Sequence, residues 1–156
     1  LAIRTILQNG DPLLRKRARQ VTDFNERLAT LLDDMRDTLK EADGVGLAAP
    51  QVGVLRRVVV IYDGEKFIDL VNPTIVSYAG EQVGEEACLS VPGRAGIVAR
   101  PNVVVVRAQD RNGETFEMRG EALIARAFCH EIDHLEGILY IDKMIRELDL
   151  SKEADA

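Results

Sequence analysis

The stretch from Glu121 to Leu135 constrains the fold more than any other part of the chain. It contains neither glycine nor proline and shows no alternation, so it reads as a helix. Ala122, Leu123, Ile124, Ala125, Ala127, Phe128, Cys129 and Ile132 surround its axis. A helix apolar on most sides must be mostly buried, so a domain has to be built around it. Gly137 suits its C-terminal cap. Yet this core helix carries His130-Glu131-Ile132-Asp133-His134. Two buried imidazoles without partners are costly. Residues four apart share a helix face, so one ion can partner both rings, at about 2.0–2.1 Å for zinc. Glu131, next to a ligand, can reach water beside the ion and move its proton. The competing reading is two core histidines four apart by chance. It weakens because the only two histidines in the chain both fall in this motif.

A catalytic metal needs a third protein ligand and an open position. Downstream, Glu136 and Glu147 lack a helical context that would bring them to the same ion. Upstream, Cys88 lies in Glu85-Glu86-Ala87-Cys88-Leu89-Ser90-Val91-Pro92. Alone, Cys88 reads as a small buried side chain. The vacancy left by the two histidines makes it the third ligand. A third segment, Gly44-Val45-Gly46-Leu47-Ala48-Ala49-Pro50-Gln51, combines glycines, small residues and one amide. Gln51 can donate a hydrogen bond to developing negative charge. The plainer reading is a helix terminator followed by a tight loop. A phosphate loop is excluded, since no later Lys and Ser or Thr follow.

The rest of the pattern gives an α+β domain with short antiparallel β-sheets packed around the buried C-terminal helix. A second, surface helix near the N-terminus shows an apolar stripe at Leu28, Leu31, Leu32, Met35 and Leu39. Asp23 and Glu26 have capping-box spacing at its start, and Gly44 and Gly46 end it. Val58 to Tyr62 is a strand, Asp63-Gly64 a tight turn, and Phe67 to Val71 the returning strand. Asn72-Pro73 should break that run before a further strand at Thr74 to Tyr78. Ile97-Val98, Val103 to Val106 and Thr115 to Met118 are the remaining strands, the last two joined at Asn112-Gly113. Nothing divides residues 1–156, so a single catalytic domain is expected.

The formal charge is -6, from 20 basic and 26 acidic residues. That balance argues against direct, specific nucleic-acid binding. Arg94, Arg100 and Arg107 sit in strand-like surroundings and read as ordinary ion pairs, not a basic stripe. No apolar run reaches a membrane span, and the start lacks a secretion signal's apolar core. Two cysteines are too few for a disulfide framework and suit a reducing compartment, so a cytoplasmic location is expected, with an organellar origin still open. No exposed coiled-coil stripe calls for a dimer, so a monomer is expected.

Gly44 to Gln51, Glu86 to Ser90 and His130 to His134, in this order and spacing, resemble the peptide deformylase family. Ile3 to Arg15 and Leu139 to Met144 look like it too, and the lack of an internal insertion is similar to the shorter, type 1 branch. The resemblance implies hydrolysis of the N-formyl group from N-formylmethionyl polypeptides, releasing formate. It implies Cys88, His130 and His134 as metal ligands and Glu131 as general acid and base. Gln51 and the Leu89 backbone N–H would stabilise the oxyanion, and Val45, Gly46 and Glu86 would contact substrate. One divalent ion is implied: Fe²⁺ in the cell, with Zn²⁺, Ni²⁺ or Co²⁺ able to occupy purified protein. The implied partners are nascent formyl-Met chains, with the ribosome as the place of encounter.

Three residues test that resemblance. Ala87 stands where the family usually has glycine, which would matter if the backbone there needed glycine's freedom. Cys129 replaces the common glutamine and should be a small buried thiol off the ligand face. Arg126, one turn before His130, reads as a salt-bridged support or as the border of the methionine pocket. Asp133 faces away from the ion and has no partner visible in the sequence. The rivals are another metallopeptidase sharing the helix motif, a module whose metal only supports folding, and a catalytically weak deformylase-like binder of nascent chains.

Overall fold

The computed structural model describes residues 2–150. Helix α1, Glu26–Ala42, buries the predicted stripe of Leu28, Leu31, Leu32, Met35 and Leu39, together with Thr38. Its N-cap is Asn25, whose side chain accepts from the Leu28 N–H at 3.2 Å, rather than the Asp23 of the expected capping box. Asp43, in the left-handed region at φ 55°, ends the helix one residue before the expected glycine.

Fifteen residues later the β-branched run becomes strand β2. Five strands form one antiparallel sheet in the order β1 (Gly46–Ala48), β2 (Val58–Tyr62), β3 (Phe67–Ala79), β6 (Val103–Gln109), β7 (Thr115–Glu121). The continuous apolar run of β2 is explained by burial on both faces. Val58 and Val60 pack with the α1 stripe and Leu47. Val59 and Ile61 pack on the other side with Leu70, Val104, Val106 and the second helix. That helix, α2, spans Leu123–Leu135. It starts two residues later than expected, because Glu121 still pairs with Val103 as the end of β7.

Asn72-Pro73 does not break β3. Asn72 takes φ 52°, and the register shifts between Val71 and Thr74. Its side chain accepts from the Val21 N–H at 2.8 Å and donates to the Val21 carbonyl and to Gln109. Those bonds hold a bulge, and the strand resumes beyond it. A second, three-stranded sheet has the order β4 (Gln82–Cys88), β5 (Val91–Arg100), β8 (Arg146–Glu147). The sequence offered no strand signal for β4, a polar edge strand.

Ala122 joins β7 directly to α2 at φ 53° and ψ −118°, a conformation that favours glycine. Its N–H donates to the Asn102 carbonyl at 2.9 Å, and its carbonyl accepts from Gln82 at 2.7 Å. Among the described residues no helix is long and apolar enough to cross a membrane.

Candidate active site

Helical spacing places His130 and His134 on one face of α2, with ring centroids 5.1 Å apart. Cys88, the last residue of β4, faces them; its Sγ lies 3.3 Å from His134 Nε2. One ligand atom each from Cys88, His130 and His134 lies within 4.8 Å of the others. Two imidazoles and a thiol converging at that range fit a divalent transition ion, and three protein ligands leave it an open position. The chain therefore carries one divalent-metal site. The downstream alternatives fail on geometry: Glu136 pairs with Arg57 and Arg17, and Glu147 with Arg94.

The ligands are aimed by a buried ionic cluster. His130 Nδ1 lies 2.8 Å from Glu86 Oε1. With Glu86 ionised, Nδ1 must carry the hydrogen and donate, leaving Nε2 for the ion. Arg100 donates to both Glu86 oxygens at 2.7 and 2.9 Å, and Arg126 Nη1 donates to Oε2 at 2.6 Å. Burial alone would raise the Glu86 pKa, but the hydrogen bonds from Arg100 and His130 outweigh it and hold the carboxyl at about 2. Arg100 reaches onward to Asp133 at 2.7 Å, which Lys143 meets from outside. Burial works against charge on Arg100 too, but Glu86 and Asp133 overcome it and keep the guanidinium firmly protonated. Burial also disfavours charge on both rings. At His134 that cost wins, with help from His130, and the ring is a neutral ligand. At His130 the opposing pull of Glu131, Cys88 and Glu86 prevails and raises the pKa, so an arriving cation must displace a proton.

Glu131 is 4% exposed, and its Oε1 has no hydrogen-bond partner. Burial pushes its carboxyl up to about 7 against the pull of His130, so it can hold or release a proton near neutrality. A Cβ on Gly46 would stand 2.6 Å from Glu131 Oε2, so glycine makes room for the carboxylate. Gln51 is fully buried. Its Oε1 accepts from the Ala48 N–H at 2.9 Å, which turns Nε2 toward Ser90 Oγ at 3.1 Å and Cys88 Sγ at 3.6 Å. Leu89 lies in the turn between β4 and β5, beside Gly44. A cavity of about 340 Å³ opens on this group, walled by residues 44–46, Gln51, residues 85–89 and the α2 residues Leu123, Arg126, Ala127, His130 and Glu131.

Three expectations change. The Val45 carbonyl is taken by the Tyr62 N–H at 2.8 Å. By antiparallel alternation, the backbone facing the open edge of β1 belongs to Gly46 instead. Glu86 borders the cavity, but both its oxygens are committed to Arg100, Arg126 and His130, which gives it the task of aiming a ligand instead of meeting substrate. Arg100, taken for an ordinary pair like Arg94 and Arg107, is 4% exposed and is the hub of the cluster. Its partner was hidden because Glu86 pairs with Gly96 in the β4–β5 register, four residues from Arg100, and only the folded Arg100 side chain brings the two together. Ala87 has no positive φ, so its backbone does not demand glycine. Cys129 is buried, and burial raises its thiol pKa, as a bland core cysteine requires.

A Cys-His-His set with an adjoining carboxylate, open to one cavity, is the arrangement of a metal-dependent hydrolase. Residues 3–149 match the polypeptide deformylase family. A peptide deformylase of Caldanaerobacter subterraneus subsp. tengcongensis is 57% identical over 149 residues, 96% of this chain and 94% of that one. The crystal structure of a peptide deformylase from Legionella pneumophila superposes with a TM-score of 0.89 at 48% identity, covering 98% of this chain and 90% of that one. The class I type b peptide deformylase of Acinetobacter baumannii gives 0.89 at 34% identity, covering 92% and 100%. The chain belongs to the peptide deformylase family and falls with its type 1 branch.

Proposed function

We propose that the protein removes the formyl group from the N-terminal methionine of new polypeptides, residues 1–156 acting as one catalytic domain. The observation that carries this reading is the convergence of Cys88, His130 and His134 with Glu131 and Gln51 on one cavity beside an open strand edge. Bound between the three ligands, the ion supplies Lewis acidity, which acidifies water and polarises a carbonyl; Fe²⁺ is the proposed native ion. The peptide pairs in extended form along β1, using the outward N–H and carbonyl of Gly46, and its first side chain enters the cavity. Val45 borders the entry. Glu131 takes a proton from the attacking water and delivers it to the leaving amine. Gln51 Nε2 and the Leu89 N–H donate to the oxygen that gains charge. The products are formate and a free N-terminus. The substrates are nascent chains, met at the ribosome in the cytoplasm; two unpaired cysteines support such a compartment. The protein acts as a monomer.

Formate release from formyl-Met-Ala-Ser by iron-loaded protein tests the reading, with Glu131→Gln alongside. Wild type should turn over, and the variant should lose about 10²–10⁴-fold in kcat while keeping its metal. Metal-loaded, folded wild type without turnover would overturn the reading; an unaffected Glu131→Gln would remove Glu131 from the chemistry.

A further inference from the structure

Where residues 15–19 meet residues 54–57, the arginines are treated unequally. Arg15 pairs with Asp142, and Arg17 and Arg57 share Glu136. Arg19 and Arg56 have no such relief. They stand opposite each other in a parallel bridge. The Arg19 N–H donates to the Leu55 carbonyl at 3.0 Å, and the Arg57 N–H donates to the Arg19 carbonyl at 2.8 Å. Chains paired in this way lie about 4.8 Å apart, and the two facing side chains rise on the same side. Both arginines are exposed, and among the described residues neither guanidinium has an ion-pair partner. Like charges directly opposite are destabilising. Salt screens that repulsion, but an anion bound between the two removes it.

The pair walls a depression of about 390 Å³, together with Gln20, Thr22, Asp23 and Leu55. No residue of it borders the active-site cavity. We propose that this depression binds a phosphorylated sugar, with the phosphate held between Arg19 and Arg56. A guanidinium fork matches phosphate oxygens, and a phosphate monoester carries about −1.5 to −2 at neutral pH, enough to neutralise both arginines. The Thr22 hydroxyl and the Gln20 amide add donors beside them. A phosphate group alone leaves most of the space empty, so the molecule that carries it enters too. Asp23 decides what that molecule is. A carboxylate only accepts, so the part of the ligand facing it must bring hydroxyl donors, as a sugar does. Leu55 offers apolar surface to the sugar's carbon face. A nucleic-acid strand is the poorer match, because it needs a row of free cations. Here Arg15, Arg17 and Arg57 are already paired, and the formal charge of -6 repels a long polyanion.

Titration calorimetry of the metal-loaded protein with ribose 5-phosphate, glucose 6-phosphate, inorganic phosphate and unphosphorylated ribose tests the site. At least one sugar phosphate should bind with Kd below about 1 mM, and ribose at least about tenfold more weakly. Arg19→Gln and Arg56→Gln should each weaken the sugar phosphate about tenfold or more, the scale of one lost hydrogen bond to a charged group. Asp23→Asn should weaken the sugar phosphate but not inorganic phosphate. Formate release from formyl-Met-Ala-Ser should be unchanged in all three variants, which lie outside the catalytic group. Without ligand, Arg56→Gln should melt no lower than wild type, because removing one of two like charges relieves their repulsion; a lower Tm would give that arginine a structural partner and overturn the proposal. Kd above about 10 mM for both sugar phosphates overturns it. So does binding that persists undiminished in Arg19→Gln and Arg56→Gln, which would place the phosphate elsewhere, the metal included. A twelve-nucleotide RNA that binds about 100-fold more tightly than either sugar phosphate, and loses that affinity in the same variants, would overturn it in favour of a nucleic-acid surface.

Discussion

The two sides of the molecule solve the problem of burial in opposite ways. Between α1 and the five-stranded sheet, the buried side chains are aliphatic: Leu28, Leu32, Met35 and Leu39 against Val58, Val60 and Leu47. Between α2 and the three-stranded sheet, Glu86, Arg100, Arg126 and His130 are buried against one another. Aliphatic burial yields stability without direction. An ion-pair cluster returns little net stability after desolvation, but it fixes where each group points. The first side holds the fold together, and the second aims a ligand.

The largest break in this contrast is Arg100→Leu. It removes the guanidinium that Glu86 and Asp133 share, leaving buried Glu86 to Arg126 and His130 and Asp133 to Lys143, which costs about 3 kcal/mol or more. It also loosens the Glu86 hold on His130, so metal affinity should fall about 10–100-fold. Chemical denaturation and metal titration measure the two effects; a stability loss with unchanged affinity would show that the cluster does not aim the ligand. Next comes Leu32→Ala on the aliphatic side. It should cost about 3 kcal/mol, with metal affinity unchanged in folded protein. Metal loss in that variant would erase the division between the sides.

Acid sharpens the contrast further. Glu86 has its folded pKa lowered to about 2 from the usual 4.5, so its contribution is complete above the higher value and disappears as pH falls toward the lower. Between about pH 4.5 and pH 3 this amounts to about 2 kcal/mol. Unfolding curves for Glu86→Gln should decline less steeply over that window than those of wild type, and parallel declines would locate the acid sensitivity elsewhere. The smallest effect belongs to Ala122→Gly. Relief of the positive-φ strain, less the extra chain entropy of glycine, should raise stability by about 1 kcal/mol, read as a rise of a few degrees in Tm.

Legibility in the sequence divides along the same line. The α1 stripe, the doubly buried β2 run and the His130–His134 spacing were visible because each is a local period set by one element. The Glu86–Arg100–Asp133 cluster was not, because it depends on the pairing of β4 with β5, on the folded Arg100 side chain and on the face of α2 turned to that sheet. The polar edge strand β4 has too little alternation to show itself. Asn72-Pro73 misled because its local preference for a turn is overridden by bonds to Val21 and Gln109, far away in the chain. The Cys88 ligand shows no local period of its own and rests on the vacancy that the histidines leave and on the family resemblance.

Gly46 and Glu131 belong to segments far apart in the sequence, yet the identity of one restricts the other. A side chain at position 46 would meet the carboxylate where it now stands, so alanine there obliges Glu131 to turn away or to be shortened. A substitution at position 46 is therefore expected to act on the acid as well as on the strand edge.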